Sequence, residues 1–108
     1  MHTLESEELD RVFAALANPV RRALLDQCSD QRQSINELAE PHSLSLNAIS
    51  KHVKVLESAR LVSRTVDGNL HCIGVQPETA MAAVEWLRYH VNLWDQSLSA
   101  LKCKLEDE

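Results

Sequence analysis

Residues 5–17, ESEELDRVFAALA, bring Leu9, Val12, Phe13 and Leu16 round at helical spacing, with acids in the first turn where the helix dipole favours them. Asn18 and Pro19 then read as an N-cap and a first helical position, which predicts a second helix, PVRRALLDQC. The polar stretch SDQRQ, residues 29–33, reads as a connection. Ser34 and Glu37 have the spacing of a capping box and open a short helix, INELAE, that Pro41 stops. After PHSL, Ser45 caps another helix that continues to about Ala59. Two short helices meeting across about four residues have the spacing of a helix-turn-helix.

The period then changes. LVSRTV, DGN and LHCIGV predict two strands around an Asp-Gly turn, which requires a positive φ. A helix-turn-helix followed at once by a hairpin predicts a winged helix. From Glu78 to about Leu105 no proline or glycine occurs, and Val84, Leu87, Val91, Trp94, Leu98, Leu101 and Leu105 recur at alternating intervals of 3 and 4. That is a coiled-coil type of seam. A helix of roughly 40 Å is longer than so small a domain covers alone, so the seam predicts a contact between two copies, joined by Leu9, Phe13 and Leu16. The alternative is a helix laid on its own domain's core.

Composition supports helices: aromatic residues make up 4% of the chain and there are 2 glycines, too few for a sandwich or barrel. Its length of 108 residues fits one domain, residues 1–108, ending in a dimerisation helix at about 78–105. The start, MHTLESEELD, is acidic and lacks an apolar segment, and the longest apolar run, VFAALA, is far short of a membrane span. Cys28, Cys72 and Cys103 are odd in number and widely spaced, so no disulfide framework is expected. Together these predict a cytoplasmic protein without a membrane partner.

A net charge of −5 argues at first against nucleic acid. Its distribution reverses that. Residues 1–44 sum to −4 and residues 76–108 to −3, whereas residues 45–75 sum to +2 through Lys51, Lys54, Arg60 and Arg64 against Glu57 and Asp67. Phosphate binding answers to the local field. At 100° per residue, Ile49, Val53, Leu56 and Ala59 share one side of the fourth helix, while Asn47, Ser50, Lys51, Lys54 and Ser58 share the other with no acid among them. In a helix-turn-helix the second helix enters the major groove, where Asn pairs with adenine and Lys with guanine or phosphate. His52 sits within the apolar arc and fits either a packed histidine or a phosphate contact at the groove edge.

LSLNAISKHVKVLESARLV resembles the recognition helix of the ArsR/SmtB family of bacterial winged-helix repressors. ALANPVRRALL resembles that family's second-helix signature, and EWLRYHVNLWDQSLSALKCKL is similar to the last helix of one subgroup. The resemblance spans residues 9–106. It implies a homodimeric transcription factor of order α-α-α-α-β-β-α, mainly helical with a small hairpin, and places Asn47, Ser50 and Lys51 toward DNA. Ser45, His52 and Lys54 complete the candidate helix contacts. Four positions depart from the pattern. Leu46 replaces a common Gln, Arg60 stands where a helix-ending Gly is usual, and Asn69 and Leu70 replace wing arginines. Arg64 and His71 remain as the candidate wing contacts.

Many members of that family bind metal through a Cys-x-Cys pair in the third helix; the matching residues here, Ser34 and Asn36, are not soft ligands. A site built from His2, His90 and Cys103 across a dimer is the residual metal reading, and neither metal nor cofactor is expected. Cys28 and Cys103 offer a thiol switch as an alternative. Arg21 and Arg22 read as surface ion pairs, for example Arg22 with Asp26. No glycine-rich phosphate loop or nucleophile–base set is present, so an enzyme is not expected. The expectation is a dimeric repressor on a palindromic double-stranded operator, its small-molecule or redox effector unspecified; the alternative is a winged-helix module that binds another protein.

Overall fold

The computed structural model describes residues 4–106, apart from the side chains of residues 103, 104 and 106. Five helices and three short strands follow one another: α1 (Ser6–Leu16), α2 (Pro19–Gln27), β1 (Gln33–Ser34), α3 (Ile35–Ala39), α4 (Leu46–Ser58), β2 (Val62–Asp67), β3 (Leu70–Val75) and α5 (Pro77–Glu106).

The helix starts are fixed by side chains that satisfy otherwise orphaned backbone N–H groups. Asn18 Oδ1 accepts from the amides of Val20 and Arg21 at 2.9 and 3.2 Å, with Pro19 at the first helical position. Ser34 and Glu37 form the reciprocal capping box, at 3.2 and 3.1 Å. Ser45 Oγ accepts from the Ala48 amide at 3.1 Å and starts α4. The end of α4 is a Schellman turn: Leu61 N–H donates to Leu56 O at 3.0 Å and Arg60 N–H to Glu57 O at 2.9 Å. Arg60 therefore takes a φ of 60°, the left-handed conformation that favours glycine.

Two details differ from the sequence reading. The polar connection at 29–33 ends in a strand, because Gln33 and Ser34 pair with Ile73 and Cys72, giving a sheet of order β1-β3-β2. Two residues of backbone pairing leave no hydrophobic alternation to read. The hairpin turn is also one residue later. Asp67 still pairs with Leu70, so Gly68 and Asn69 form the turn, with Gly68 at φ 62° and Asn69 at negative φ. Glycine at the first turn position is what a type II′ turn asks for.

Val12, Leu24, Leu38, Ile49, Val53, Leu56 and Ile73 are fully buried and join all the helices of the body to the sheet. Each such side chain contributes roughly 2 kcal/mol through burial. Of α5, Thr79, Ala82 and Ala83 are buried, whereas the described side chains from Val84 onward are not. Leu9 and Leu16 of α1 pack at the edge of the core, and Phe13 stays 38% exposed with its ring edge-on to Trp86 at 6.2 Å.

Candidate nucleic-acid interface

The periodicity that buries one face of α4 projects the other. Ile49 and Val53 are 0% exposed and Leu56 1%, so the helix cannot rotate without emptying the core. Asn47, Lys51, Lys54 and Ser58 lie on the opposite side, where Asn47, Lys51 and Lys54 are exposed and Ser50 is half-buried among them. Ser45 is exposed as well, its hydroxyl oxygen engaged as the cap. Leu46, beside Asn47, is 50% exposed, an apolar contribution to an otherwise polar face.

His52 is half-buried and meets a partner from outside its helix. Its Nδ1 lies 3.2 Å from Arg21 Nη1. The same guanidinium donates from Nε to Ala15 O at 2.8 Å and from Nη2 to Ala14 O at 3.0 Å. Arg21 thus spans from the C-terminal carbonyls of α1, where Ala14 O also accepts from the Ala17 amide, to the middle of α4. Arg22 follows suit, donating to Leu16 O at 2.7 Å. This corrects the expected Arg22–Asp26 pair: Arg22 turns back to α1, which carries no basic residue in its own last turn to meet those carbonyls.

On the hairpin, Arg64 makes a fork with Glu57, Nη2 donating to Oε1 at 2.6 Å and Nε to Oε2 at 3.3 Å. Its Nη1 also lies 3.0 Å from His71 Nδ1. The Glu57 hydrogen bonds push the Arg64 pKa up from an already high value. Arg64 is thus placed at the wing as the sequence suggested, but its charge is offset and its side chain is only 22% exposed. Among the described residues, Lys51 and Lys54 are the cations that α4 projects outward. Between wing and helix opens a cleft of about 240 Å³ lined by Ser34, Asn36, Ser50, Arg64, Asn69 and His71. The contact of Arg21 with His52 had no signal in the sequence, because 31 residues separate the partners. That of Glu57 with Arg64 crosses from a helix to a strand, where no fixed offset applies.

The thiol and metal candidates are differently placed. Cys28 is 3% exposed with Sγ 3.7 Å from Leu25 O, and burial pushes its thiol pKa up, away from the thiolate. His2 and the Cys103 side chain lie outside the described residues. His90 stacks on Trp86 at 4.0 Å, its Nδ1 2.9 Å from the Trp86 carbonyl. Among the described residues no three His, Cys, Asp or Glu side chains converge, and no helix is long and apolar enough to cross a membrane.

A helix-turn-helix domain family matches residues 16–65, from the end of α1 into β2. The HTH-type transcriptional regulator Rv2034 of Mycobacterium tuberculosis is 36% identical over 75 residues, 69% of this chain and 69% of that protein. The transcriptional repressor SdpR of Bacillus subtilis is 24% identical over 90 residues, 83% of this chain and 100% of that one. The crystal structure of an ArsR family transcriptional regulator superposes with a TM-score of 0.80 at 30% identity, covering 87% of this chain and 97% of the other.

Proposed function

The chain belongs to the ArsR family of helix-turn-helix transcriptional regulators, and from that premise we propose that it acts in the cytoplasm as a homodimeric repressor on a palindromic operator. The observation that carries the proposal is the acid-free face of α4, with Asn47, Lys51 and Lys54 exposed and Ile49, Val53 and Leu56 locked beneath. Lys51 and Lys54 take phosphates or guanine edges, and Asn47 and Ser50 meet bases. The repressor assignment is supported by the likeness to SdpR, itself named a repressor.

Self-association is supported by α5. Val84, Leu87, Val91, Trp94, Leu98 and Leu101 are between 39% and 64% exposed along one seam, and an apolar stripe of that length is unusual on a soluble monomer. A dimer joined through α5 and Phe13 that reads a palindromic operator would hold its two copies of α4 roughly 34–36 Å apart, one helical turn of DNA. No enzymatic step enters this reading.

Retention on mixed-sequence duplex DNA at low salt, with light scattering for mass, tests both parts. The expected result is a dimer whose DNA affinity falls log-linearly with salt. Lys51→Ala should weaken binding and make that slope shallower by about 0.9, one phosphate's share. A monomer, or a protein that ignores duplex DNA in dilute buffer, refutes the proposal.

A further inference from the structure

We propose that His52 and His71 meet DNA as neutral hydrogen-bond donors, each fixed in its Nε2–H tautomer by an arginine behind it, with Arg21 the positioning residue on the helix side and Arg64 on the wing. The inference rests on the DNA-binding reading above and deepens it.

A guanidinium has donors and no acceptor. The ring nitrogen it meets must therefore accept, and in a neutral imidazole the proton then sits on the other nitrogen. The same geometry occurs twice, Arg21 Nη1 at 3.2 Å from His52 Nδ1 and Arg64 Nη1 at 3.0 Å from His71 Nδ1. Neither arginine is free to turn away. Arg21 is held by the carbonyls of Ala14 and Ala15, and Arg64 by both oxygens of Glu57. An imidazolium would set a Nδ1–H donor and a second positive charge against each guanidinium.

Among the described residues neither Nε2 has a hydrogen-bond partner. His52 is half-buried, roughly 100° round α4 from Lys51 toward the packed side, and His71 lines the cleft between that helix and the wing. Both rings are anchored on the protein side at Nδ1, and a ring places Nε2 away from Nδ1. A phosphate oxygen at the groove edge is the acceptor that suits a neutral, directed N–H. Such a contact adds affinity without releasing a counterion, so it leaves the salt slope unchanged. This supplies hydrogen bonding where the wing's arginine is already paired.

The test has one readout on the free protein and one on the complex. The two-bond proton–nitrogen spectrum of the full chain at roughly pH 8, above the ordinary imidazole range, should show both rings protonated at Nε2. Arg21→Gln should move the His52 signals toward a tautomer mixture and leave those of His71 in place. On a mixed-sequence duplex of roughly three helical turns, Arg21→Gln and His52→Ala should each weaken binding about fivefold with no change in salt slope. The double variant should lose no more than either alone. His52→Gln, whose amide N–H reaches as far as Nε2, should recover most of the loss, and it carries the test if Arg21→Gln does not fold. Rings protonated at Nδ1 overturn the proposal, as does a His52→Ala protein that binds like wild type. An Arg21→Gln slope shallower by about 0.9 with unchanged His52 signals overturns it too, since Arg21 would then touch phosphate itself. A wild type that ignores the duplex refutes the parent reading, and the free-protein spectrum tells that failure apart.

Discussion

Replacing Glu57 by glutamine should make the protein bind DNA more tightly while making it less stable. In the native chain the Glu57 carboxylate receives the Arg64 fork at 2.6 and 3.3 Å, with side chains 22% and 29% exposed. A charge-assisted pair that is mostly, but not wholly, shielded contributes about 1 kcal/mol to folding. The neutral amide of the Glu57→Gln protein keeps one hydrogen bond to Arg64, and the substitution removes the only acid contributed by α4. Arg64 then holds an uncompensated charge at the mouth of the helix–wing cleft. If it takes one further phosphate, the salt slope steepens by about 0.9. A fourfold rise in salt should then weaken the variant roughly 3.5 times more than the wild type, and the variant should be the tighter binder at the lowest salt. Fluorescence anisotropy over a salt series reads the slope, and urea unfolding reads the stability. Equal slopes alongside the expected loss of stability would show that Arg64 does not face phosphate even when released, and the wing assignment would fall.

Three further outcomes follow from other parts of the molecule. Arg60→Gly should raise stability by about 1 kcal/mol in urea unfolding, because glycine takes a φ of 60° without a Cβ penalty and the lost contact to Glu8, at 3.9 Å, is an exposed one on the arginine side. Val91→Glu, at a position 51% exposed on the α5 seam, should give a monomer by light scattering with unchanged helical content, whereas a persisting dimer would move the interface elsewhere. Cys28 should resist alkylation near neutral pH more than Cys72, since its raised pKa keeps the thiolate fraction below the ordinary value until the solution is more alkaline; mass spectrometry of the modified peptides checks the order.

Local chemistry made most of the fold legible. Asn18, Ser34 and Ser45 each cap the helix they precede, because a cap needs only a side chain and an amide two or three residues away. The positive φ at Arg60 followed from its place after α4. What the sequence hid were interactions between distant segments. β1 is two residues of backbone pairing without apolar alternation, and the hairpin turn moved by one residue because pairing at Asp67 and Leu70 outweighed the usual Asp-Gly placement. The face of α4 followed from its wheel alone. The engagement of Arg64 did not, since the wheel says nothing of a strand crossing behind the helix.

One consequence of α5 concerns mechanical gain. The helix is rooted in the body by its opening turns, around Thr79, Ala82 and Ala83, with Trp86 edge-on to Phe13 just beyond, and some 23 residues run from Val84 to Glu106. At 1.5 Å per residue that arm is about 35 Å long, so a tilt of about 5° at the root displaces the tip by about 3 Å. In the proposed dimer, run in reverse, a small adjustment where two arms cross would swing each attached body through a few ångströms, enough to pull a pair of reading heads out of step with the turn of the double helix.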